Sequence, residues 1–378
     1  MKRHLSGILL LTACACGGSA PAATSATTTT DPVRTAERTA SPSADYEVHE
    51  WGLVRGGPGD TQRYGVIAPP IDLGMMTVDK PLLYFHAPAA LTLASVTVEA
   101  RSGGTLVETW PLTPLGASAA WTSVTIDPDG GPCAVSPLPT ASDPPCTGQP
   151  AGDCETPSLG PLRTADAACV HVGGSTERFL FYRGRATTFT PPLRFERTGA
   201  YEVVRVTNEG DAVIPGMLVR LWSNGFSVRT LAVAPPQPHR SIDVHADFDA
   251  AAAQDHTTAR TDDEATDRRG ADGDMPVMPA SGPGPRALVD AMLQLGLTQS
   301  EADAFMRAWQ PALFGPGQPA IDTLTADGTP AARESFVYFL PAAALEDVAH
   351  LAFDPPPRGG VHRAIAMWSA LGSSGASH

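Results

Sequence analysis

Two histidines and one glutamate fall in segments that have the pattern of β-strands. His49 and Glu50 are neighbours within residues 46–54, and His86 ends the apolar run 81–86. Imidazole and carboxylate groups are ligands that Zn²⁺ takes in proteins, so these three side chains could hold such an ion if the two strands were adjacent. Because side chains alternate along a strand, however, His49 and Glu50 belong to opposite faces. The alternation favours the other interpretation, in which Glu50 pairs with an arginine and the histidines make ordinary hydrogen bonds.

A second set of potential ligands surrounds residue 245. If the backbone is extended there, its period of two places four of them on one face: Asp243, His245, Asp247 and Asp249. Carboxylates gathered in this way can bind Ca²⁺ through their oxygens. The alternative is a solvent-exposed strand edge, where the carboxylates stay hydrated and need no cation. We favour the exposed edge.

The best-defined local structure in the sequence is a hairpin centred on Asn224 and Gly225. Residues 217–231 have the pattern of two strands joined by this pair. Asn-Gly readily adopts the positive φ angles of a type I′ turn, which is the favoured two-residue hairpin turn. Such a turn fixes the register and predicts that Leu221 lies opposite Val228.

The same register places Arg220 opposite Arg229 on the other face of the hairpin. Like charges directly opposite each other destabilise a sheet unless a counter-charge intervenes. Glu196 or Glu202 could supply that charge, and this is the interpretation we favour. The alternative is a platform that binds a carboxylate or sulfate, with Trp222 alongside to stack on a sugar.

Four of the six cysteines cluster in one stretch rich in proline and glycine: Cys133, Cys146, Cys154 and Cys169. No two of them are as close as the paired cysteines of a typical zinc site. In an exported protein they would meet an oxidising compartment, so we predict two disulfides. Four cysteines allow three pairings, and the sequence does not choose among them.

The strand-like segments predict the body of the protein. From residue 45 to residue 245, short alternating segments are separated by turn residues, as in an antiparallel β-sandwich. Residues 204–211 resemble a strand–turn pattern of immunoglobulin-like domains, which makes an immunoglobulin-like sandwich one form of this prediction. Residues 127–169, which carry the four clustered cysteines, would be a long crosslinked loop on this body, called here the stapled loop.

The sequence changes character after residue 245. Residues 246–285 are rich in acidic residues and predict a disordered loop. Residues 286–370 predict a pair of helices and then strands that return to the same domain, so that the chain is mainly β and α+β overall. Thr298 and Glu301 have the spacing of a capping box at the start of the second helix. Residues 371–378 are expected to be a disordered tail.

Catalytic motifs are missing from the sequence. It has no Gly-x-Ser-x-Gly elbow, no His-Glu-x-x-His motif, no phosphate-binding loop and no Gly-x-Gly-x-x-Gly after a strand. The formal net charge of −14 disfavours nucleic acid and anionic lipid headgroups as partners. We therefore favour a protein that is not an enzyme and predict no bound cofactor, with Zn²⁺ or Ca²⁺ at the two sets above as the alternatives.

The first residues resemble a bacterial lipoprotein signal. Basic residues precede a short apolar run, and Leu11-Thr12-Ala13-Cys14 resembles the lipobox. The resemblance implies that residues 1–13 are removed and that Cys14 receives lipid, including a fatty acyl group such as palmitate, which anchors the chain to a membrane. Residues 14–44 would then be a flexible stalk rich in Ala, Thr, Ser and Pro. Ala15 after the lipid site favours the outer membrane, and an ordinary cleaved signal is the alternative.

Several islands of the sequence together resemble a family of uncharacterised exported bacterial proteins that has a His-Glu-Trp-Gly opening motif. The islands are residues 48–52, 80–85, 177–184, 296–309 and 334–341. The family's opening usually continues with Thr-Phe-Thr, where this chain has Leu53-Val54-Arg55. The resemblance implies a shared fold and export, and it supplies no activity, cofactor or catalytic residue.

The sequence as a whole predicts a lipid-anchored protein of the cell envelope. A tether, a stalk and a crosslinked loop are typical of binding or assembly on the envelope surface, with an envelope protein or a glycan as the partner. The alternative is a surface metalloenzyme or hydrolase that uses the His49 set or the Asp243 set.

Overall fold

A computed structural model describes residues 43–55, 76–147, 154–186, 188–198, 203–223, 228–247, 282–315 and 333–371. All of them belong to one compact unit, Ser41–His378. The predicted signal peptide, Cys14, almost all of the stalk and most of the acidic loop lie outside the described residues, as do the Asn224–Gly225 turn and residues 372–378.

The chain is mainly β with a C-terminal pair of helices, which confirms the predicted fold class. An eight-stranded central sheet has the order β12-β11-β14-β16-β1-β2-β8-β4. Its strands, in chain order, are β1 (Glu47–Arg55), β2 (Met76–His86), β4 (Thr105–Trp110), β8 (Leu180–Ala186), β11 (Leu218–Ser223), β12 (Val228–Val233), β14 (Arg333–Phe339) and β16 (Gly360–Leu371).

Two smaller sheets complete the β-structure. The five-stranded sheet has the order β15-β3-β5-β6-β7, with β3 (Leu91–Ala100), β5 (Ser118–Ile126), β6 (Val170–Val172), β7 (Ser175–Glu177) and β15 (Ala349–Asp354). The three-stranded sheet has the order β13-β10-β9, with β9 (Leu193–Arg197), β10 (Val203–Asn208) and β13 (Ser241–His245).

Strand β1 lies in the middle of the central sheet, between a parallel and an antiparallel neighbour. It pairs in parallel with β16, with His49 opposite His362, and antiparallel with β2, with Glu47 opposite His86. The parallel pair departs from the purely antiparallel sandwich predicted from the sequence. Parallel neighbours need a crossover connection, which a count of short strands does not reveal.

Each face of the central sheet is covered by its own apolar core. On one face, here called the sandwich side, Val48 and Val54 of β1 pack with residues of the two smaller sheets. On the other, the helical side, Trp51 and Leu53 pack with the helices and with part of the stapled loop. The alternation of β1 side chains between the two faces explains why nearly the whole strand is buried.

The helical side is covered by α1 (Gly284–Gln294) and α2 (Gln299–Leu313), and a short helix, α3 (Ala342–Val348), precedes β15. Helix α2 begins with the predicted capping box: the Thr298 hydroxyl accepts from the backbone N–H of Glu301, and the Glu301 carboxylate accepts from the N–H of Thr298. Both interactions satisfy N–H groups that the first helical turn leaves free. Among the described residues, no helix has the length and apolar character needed to cross a bilayer.

The predicted hairpin is present, but its register differs by two residues from the one predicted. Strands β11 and β12 are antiparallel, with Ser223 opposite Val228 and Leu221 opposite Thr230, so four residues separate the paired ends. Arg220 consequently lies opposite Leu231 rather than Arg229. Side chains alternate between faces with a period of two, so a register shift of two residues leaves each side chain on its predicted face. It changes only the residue that lies opposite.

The stapled loop carries both predicted disulfides. Cys133 bridges to Cys169, and Cys146 bridges to Cys154. Two short 3-10 helices, Thr156–Ser158 and Gly160–Thr164, form the part of the loop that packs on the helical side. The first bridge joins the two ends of the loop and the second closes a small ring inside it.

Candidate metal centre

A cluster of histidines and carboxylates forms at one end of the central sheet, on the helical side. Glu47 and His49 come from β1, His86 from β2 and His362 from β16. The register places Glu47 opposite His86 and His49 opposite His362. Since directly paired residues share a face, the four side chains converge on the same face at the end where β1 begins.

The fifth member of the cluster, Glu301, comes from the first turn of α2. Phe305, one turn further along that helix, packs edge-on against Trp51, with ring centroids 5.6 Å apart. Trp51 and His49 lie on the same face of β1, two residues apart, so the helix that covers Trp51 also brings Glu301 over His49. The capping box holds Glu301 by its backbone and its side chain, and the residue is fully buried.

Glu301 accepts a hydrogen bond from each of two histidines. His49 Nδ1 lies 2.8 Å from Oε2, and His86 Nε2 lies 2.9 Å from Oε1. The two imidazole rings are adjacent, with centroids 4.3 Å apart. One buried carboxylate therefore orients both rings.

The hydrogen bonds keep Glu301 ionised in spite of its burial. Burial raises the pKa of Glu301, but the hydrogen bonds from His49 and His86 outweigh this effect and lower the pKa to about 2. Burial also lowers the pKa of His86, but its hydrogen bond to Glu301 and the negative charge of Glu301 outweigh it and raise the pKa above 6.5. The Glu301 carboxylate is thus the negative charge at the centre of the cluster.

The outer half of the cluster consists of a buried His49 nitrogen and two half-exposed side chains, Glu47 and His362. His49 is only 2 % exposed, and its Nε2 atom is buried without a hydrogen-bond partner among the described residues. This atom lies 3.5 Å from Glu47 Oε1, and His362 Nε2 lies 3.8 Å from Glu47 Oε2. The side chains of Glu47 and His362 are 41 % and 36 % exposed. Chemically, two imidazoles and a carboxylate in this arrangement can bind a cation or a polar ligand that arrives from solvent.

Two neighbouring contacts shape the rim of the cluster. Asp129, near the start of the stapled loop, has its Oδ2 atom 3.7 Å from His86 Nδ1. Gly296, in the short connection between α1 and α2, has a φ of +92°, and a Cβ there would lie 2.3 Å from His362 Nδ1. Only glycine allows both this backbone conformation and the close approach to the His362 ring.

Of the possible ligand set His49, Glu50 and His86, the structure brings the two histidines together and places Glu50 apart from them, as the alternation along β1 predicts. Glu50 lies on the sandwich side, where it accepts hydrogen bonds from Tyr182 and Arg363. The alternation of β1 separates it from His49.

The calcium set, the less favoured interpretation of residues 243–249, is not assembled among its described members. Asp243 is exposed and forms an ion pair with Arg205, whose Nε and Nη2 lie 2.9 and 3.1 Å from its two oxygens. His245 is also exposed, and Asp247 lies beyond the end of β13, whereas Asp249 falls outside the described residues. Within the described residues, none of these side chains belongs to a group of three metal ligands.

The predicted anion platform is also not formed. Arg220 is buried, pairs with Glu334 and donates from Nη1 to the carbonyl of Val244 at 2.7 Å. The guanidinium of Arg229 lies 5.7 Å from the ring centroid of Trp222 instead of beside Arg220. Glu334, which comes from β14, takes the place of the counter-charge expected from Glu196 or Glu202. Pairing between β11 and β14 is long-range and could not be anticipated from the hairpin alone.

Two further groups of potential ligands contain cysteines. They are Glu108 with Cys146 and Cys154, and Asp127 with Cys169 and His171. All three cysteines are in disulfides, so none supplies the thiolate that a metal would bind.

Sequence reasoning missed three members of the histidine cluster: Glu47, Glu301 and His362. The capping box identified Glu301 as a residue fixed at a helix start, but not which strand the helix covers. Glu47 lies two residues before His49 on β1 and therefore on the same face. The alternation that excluded Glu50 could also have identified Glu47. Searches of protein-family models, of curated proteins and of solved structures find no match to this chain.

Proposed function

We propose that this chain is an exported, lipid-anchored protein of the bacterial cell envelope, on the outer membrane, that acts by binding. The observation that carries the proposal is the pair of disulfides in the stapled loop, Cys133–Cys169 and Cys146–Cys154. Disulfides persist in oxidising compartments and are rare in the cytosol. This agrees with the signal-like N-terminus and with Cys14 as the lipid site.

The stapled loop and the histidine cluster support binding as the role of the body. The loop is fastened to α2, since the backbone N–H of Asp166 donates to Ser300 Oγ at 2.8 Å and Arg307 Nη2 donates to Thr164 Oγ1 at 2.6 Å. Asp129 of the same loop borders the cluster. Loops held on a rigid scaffold commonly form recognition surfaces. An envelope protein or a glycan is the partner that we propose for this surface.

The anchor is tested with the full chain expressed in a bacterial host and analysed by intact mass and membrane fractionation. The expected product begins at Cys14, carries a diacylglycerol and an acyl chain, and sediments with membranes. Cys14→Ser abolishes both properties, whereas Cys16→Ser, the matched control, retains them. An unlipidated chain that stays inside the cell with free thiols in the stapled loop would overturn the proposal.

A surface metalloenzyme is the second candidate function, and the convergence of Glu47, His49 and His362 on the solvent side of the cluster favours it. A metal ion bound there could activate water for hydrolysis. The test is turnover of activated ester substrates by the zinc-loaded full chain, with His49→Ala as the comparison. Equal rates for the two proteins would exclude this candidate.

A further inference from the structure

We propose that this chain binds a divalent transition-metal ion such as Zn²⁺ through Glu47, His49 and His362, and that Glu301 is the positioning residue that aims His49 at the metal. The proposal goes beyond envelope binding and does not depend on the lipid anchor.

The first argument concerns the two nitrogens of His49. Glu301 Oε2 accepts from the backbone N–H of Thr298 and lies 2.8 Å from His49 Nδ1, so this nitrogen is the donor to the carboxylate and carries the proton of the neutral ring. In the neutral ring, Nε2 then carries a lone pair. That atom is buried and has no hydrogen-bond partner among the described residues. A buried polar atom left unpaired is costly, and a metal ion would satisfy it.

The arrangement matches the way in which proteins orient metal-binding histidines. A histidine that binds a metal through one nitrogen nearly always donates its other N–H to a carboxylate or a carbonyl, which fixes the tautomer and the ring orientation. Glu301 does this for His49 from a fully buried position, where the capping box holds it.

Glu47 and His362 supply the remaining ligands. The three ligand atoms of Glu47, His49 and His362 lie within 4.8 Å of one another. In a tetrahedral zinc site with bonds of about 2.0–2.1 Å, ligand atoms are about 3.3 Å apart. His49 Nε2 lies 3.5 Å from Glu47 Oε1, which is close to this value, and His362 Nε2 lies 3.8 Å from the other oxygen, Oε2. The half-exposed side chains of Glu47 and His362 would move inward to complete the site.

The inner trio of His49, His86 and Glu301 is a poorer site for the metal. Each oxygen of Glu301 already accepts a hydrogen bond from one histidine. The separations of 2.8 and 2.9 Å are those of hydrogen bonds and are shorter than the spacing of ligands around zinc. The inner trio therefore serves as the support for the outer one.

The ligand set also defines the class of ion. Two imidazoles and one carboxylate suit Zn²⁺ and related ions, whereas Ca²⁺ and Mg²⁺ prefer oxygen ligands alone. Three protein ligands leave a coordination position for water or for another ligand, and the exposure of Glu47 and His362 places that position toward solvent.

The metal is tested by calorimetric titration of the full, metal-free chain with Zn²⁺, together with the visible spectrum of the Co²⁺ form. The wild-type chain is expected to bind one equivalent. Glu47→Gln and His362→Ala alter half-exposed side chains that leave the core intact, and each should weaken binding at least 100-fold. His239→Ala, which removes an exposed histidine paired with Asp211, is the matched control and should bind as wild type.

The positioning role is tested with Glu301→Gln, which retains a capping-box side chain. We expect affinity for Zn²⁺ to fall about 10–100-fold. Nitrogen-15 NMR of the metal-free chain should show His49 protonated on Nδ1 in the wild type and a mixture of tautomers in Glu301→Gln, a change that a purely structural role would not produce.

Three results would overturn the proposal. They are the absence of stoichiometric binding by the wild type, wild-type affinity in both Glu47→Gln and His362→Ala, and a His49 ring protonated on Nε2. Loss of binding in His86→Ala with retention in Glu47→Gln would move the metal to the inner trio and equally reject the assignment made here.

Discussion

A buried carboxylate lies against each face of strand β1, Glu50 of the strand itself on one side and Glu301 of α2 on the other, and the two have different surroundings. On the sandwich side, Glu50 is enclosed by Tyr182 and Arg363, and Arg363 is itself held by Glu346 and by the carbonyl of Ala349. That network is closed. On the helical side, Glu301 is equally well partnered, but Nε2 of the histidine that it orients has no hydrogen-bond partner among the described residues and lies 3.5 Å from the half-exposed Glu47.

The difference separates an arrangement that stabilises the fold from one that is prepared for a ligand. In a closed network of buried charges every donor and acceptor has a partner. Removing one group therefore leaves another buried charge unpaired. An open network has an unmatched atom, which is a cost unless something binds there. The comparison predicts that mutations on the sandwich side change stability alone and that mutations on the helical side change metal affinity.

The largest effect is expected for Glu50→Ala. This change removes the buried partner of Arg363, whose side chain is only 10 % exposed, and should lower the free energy of unfolding by about 3–5 kcal/mol. Urea denaturation followed by circular dichroism measures it. Glu346→Ala, which removes the exposed partner of the same arginine, is the control and should cost less than about 1 kcal/mol. Equal losses in the two variants would show that the network is not closed around Glu50.

A smaller loss of stability is expected for Tyr182→Phe. The change deletes one hydrogen bond to the buried Glu50 carboxylate, which is worth about 1.5–3 kcal/mol when the acceptor is charged. Urea denaturation gives the stability, and calorimetry should give an unchanged affinity for Zn²⁺. A marked loss of zinc affinity in this variant would show that the two faces of β1 are coupled. It would contradict the separation of stability from metal binding.

Gly296→Ala probes the helical side. The new methyl group would occupy the space of the His362 ring, so affinity for Zn²⁺ should fall about tenfold, while the positive φ costs about 1–2 kcal/mol of stability. Gly360→Ala is the control, because Gly360 has a φ of +90° and no atom within 4 Å of the added Cβ. It should lose similar stability and keep its zinc affinity. If both variants lose zinc affinity equally, the loss comes from backbone strain at the positive φ and not from contact of the new methyl group with the His362 ring.

The smallest effect is expected for Thr298→Ala. Loss of the N-cap hydroxyl should cost about 1 kcal/mol of stability, measured by thermal denaturation. The zinc affinity should stay close to that of the wild type, because the hydrogen bonds from the two histidines still hold the Glu301 carboxylate. A loss of affinity comparable to that of Glu301→Gln would show that the cap, rather than the histidines, fixes the carboxylate.

Features set by nearby residues could be predicted from the sequence. The alternation of β1 correctly placed His49 and Glu50 on opposite faces, and the spacing of Thr298 and Glu301 correctly marked a capping box. The cluster of four cysteines predicted two disulfides. Each of these inferences needs only local geometry or composition.

Features set by distant pairing could not be predicted. The sequence does not state that β16 pairs in parallel with β1, and only that pairing brings His362 to His49. The hairpin illustrates the intermediate case: the period of two gave the correct face for Arg220, but the assumed two-residue turn gave the wrong partner. Glu334 pairs with Arg220 because β14 lies beside β11, which is again a matter of strand order.

The parallel pairing of β1 with β16 also constrains how the protein is made. Until residues 360–371 have emerged, one long edge of β1 has no strand beside it, and its backbone N–H and C=O groups remain available to other chains. During synthesis β1 therefore stays unpaired on this edge until almost all of the chain has been made. A chaperone that shields this edge would suppress aggregation, and chains truncated before β16 should stay bound to it longest.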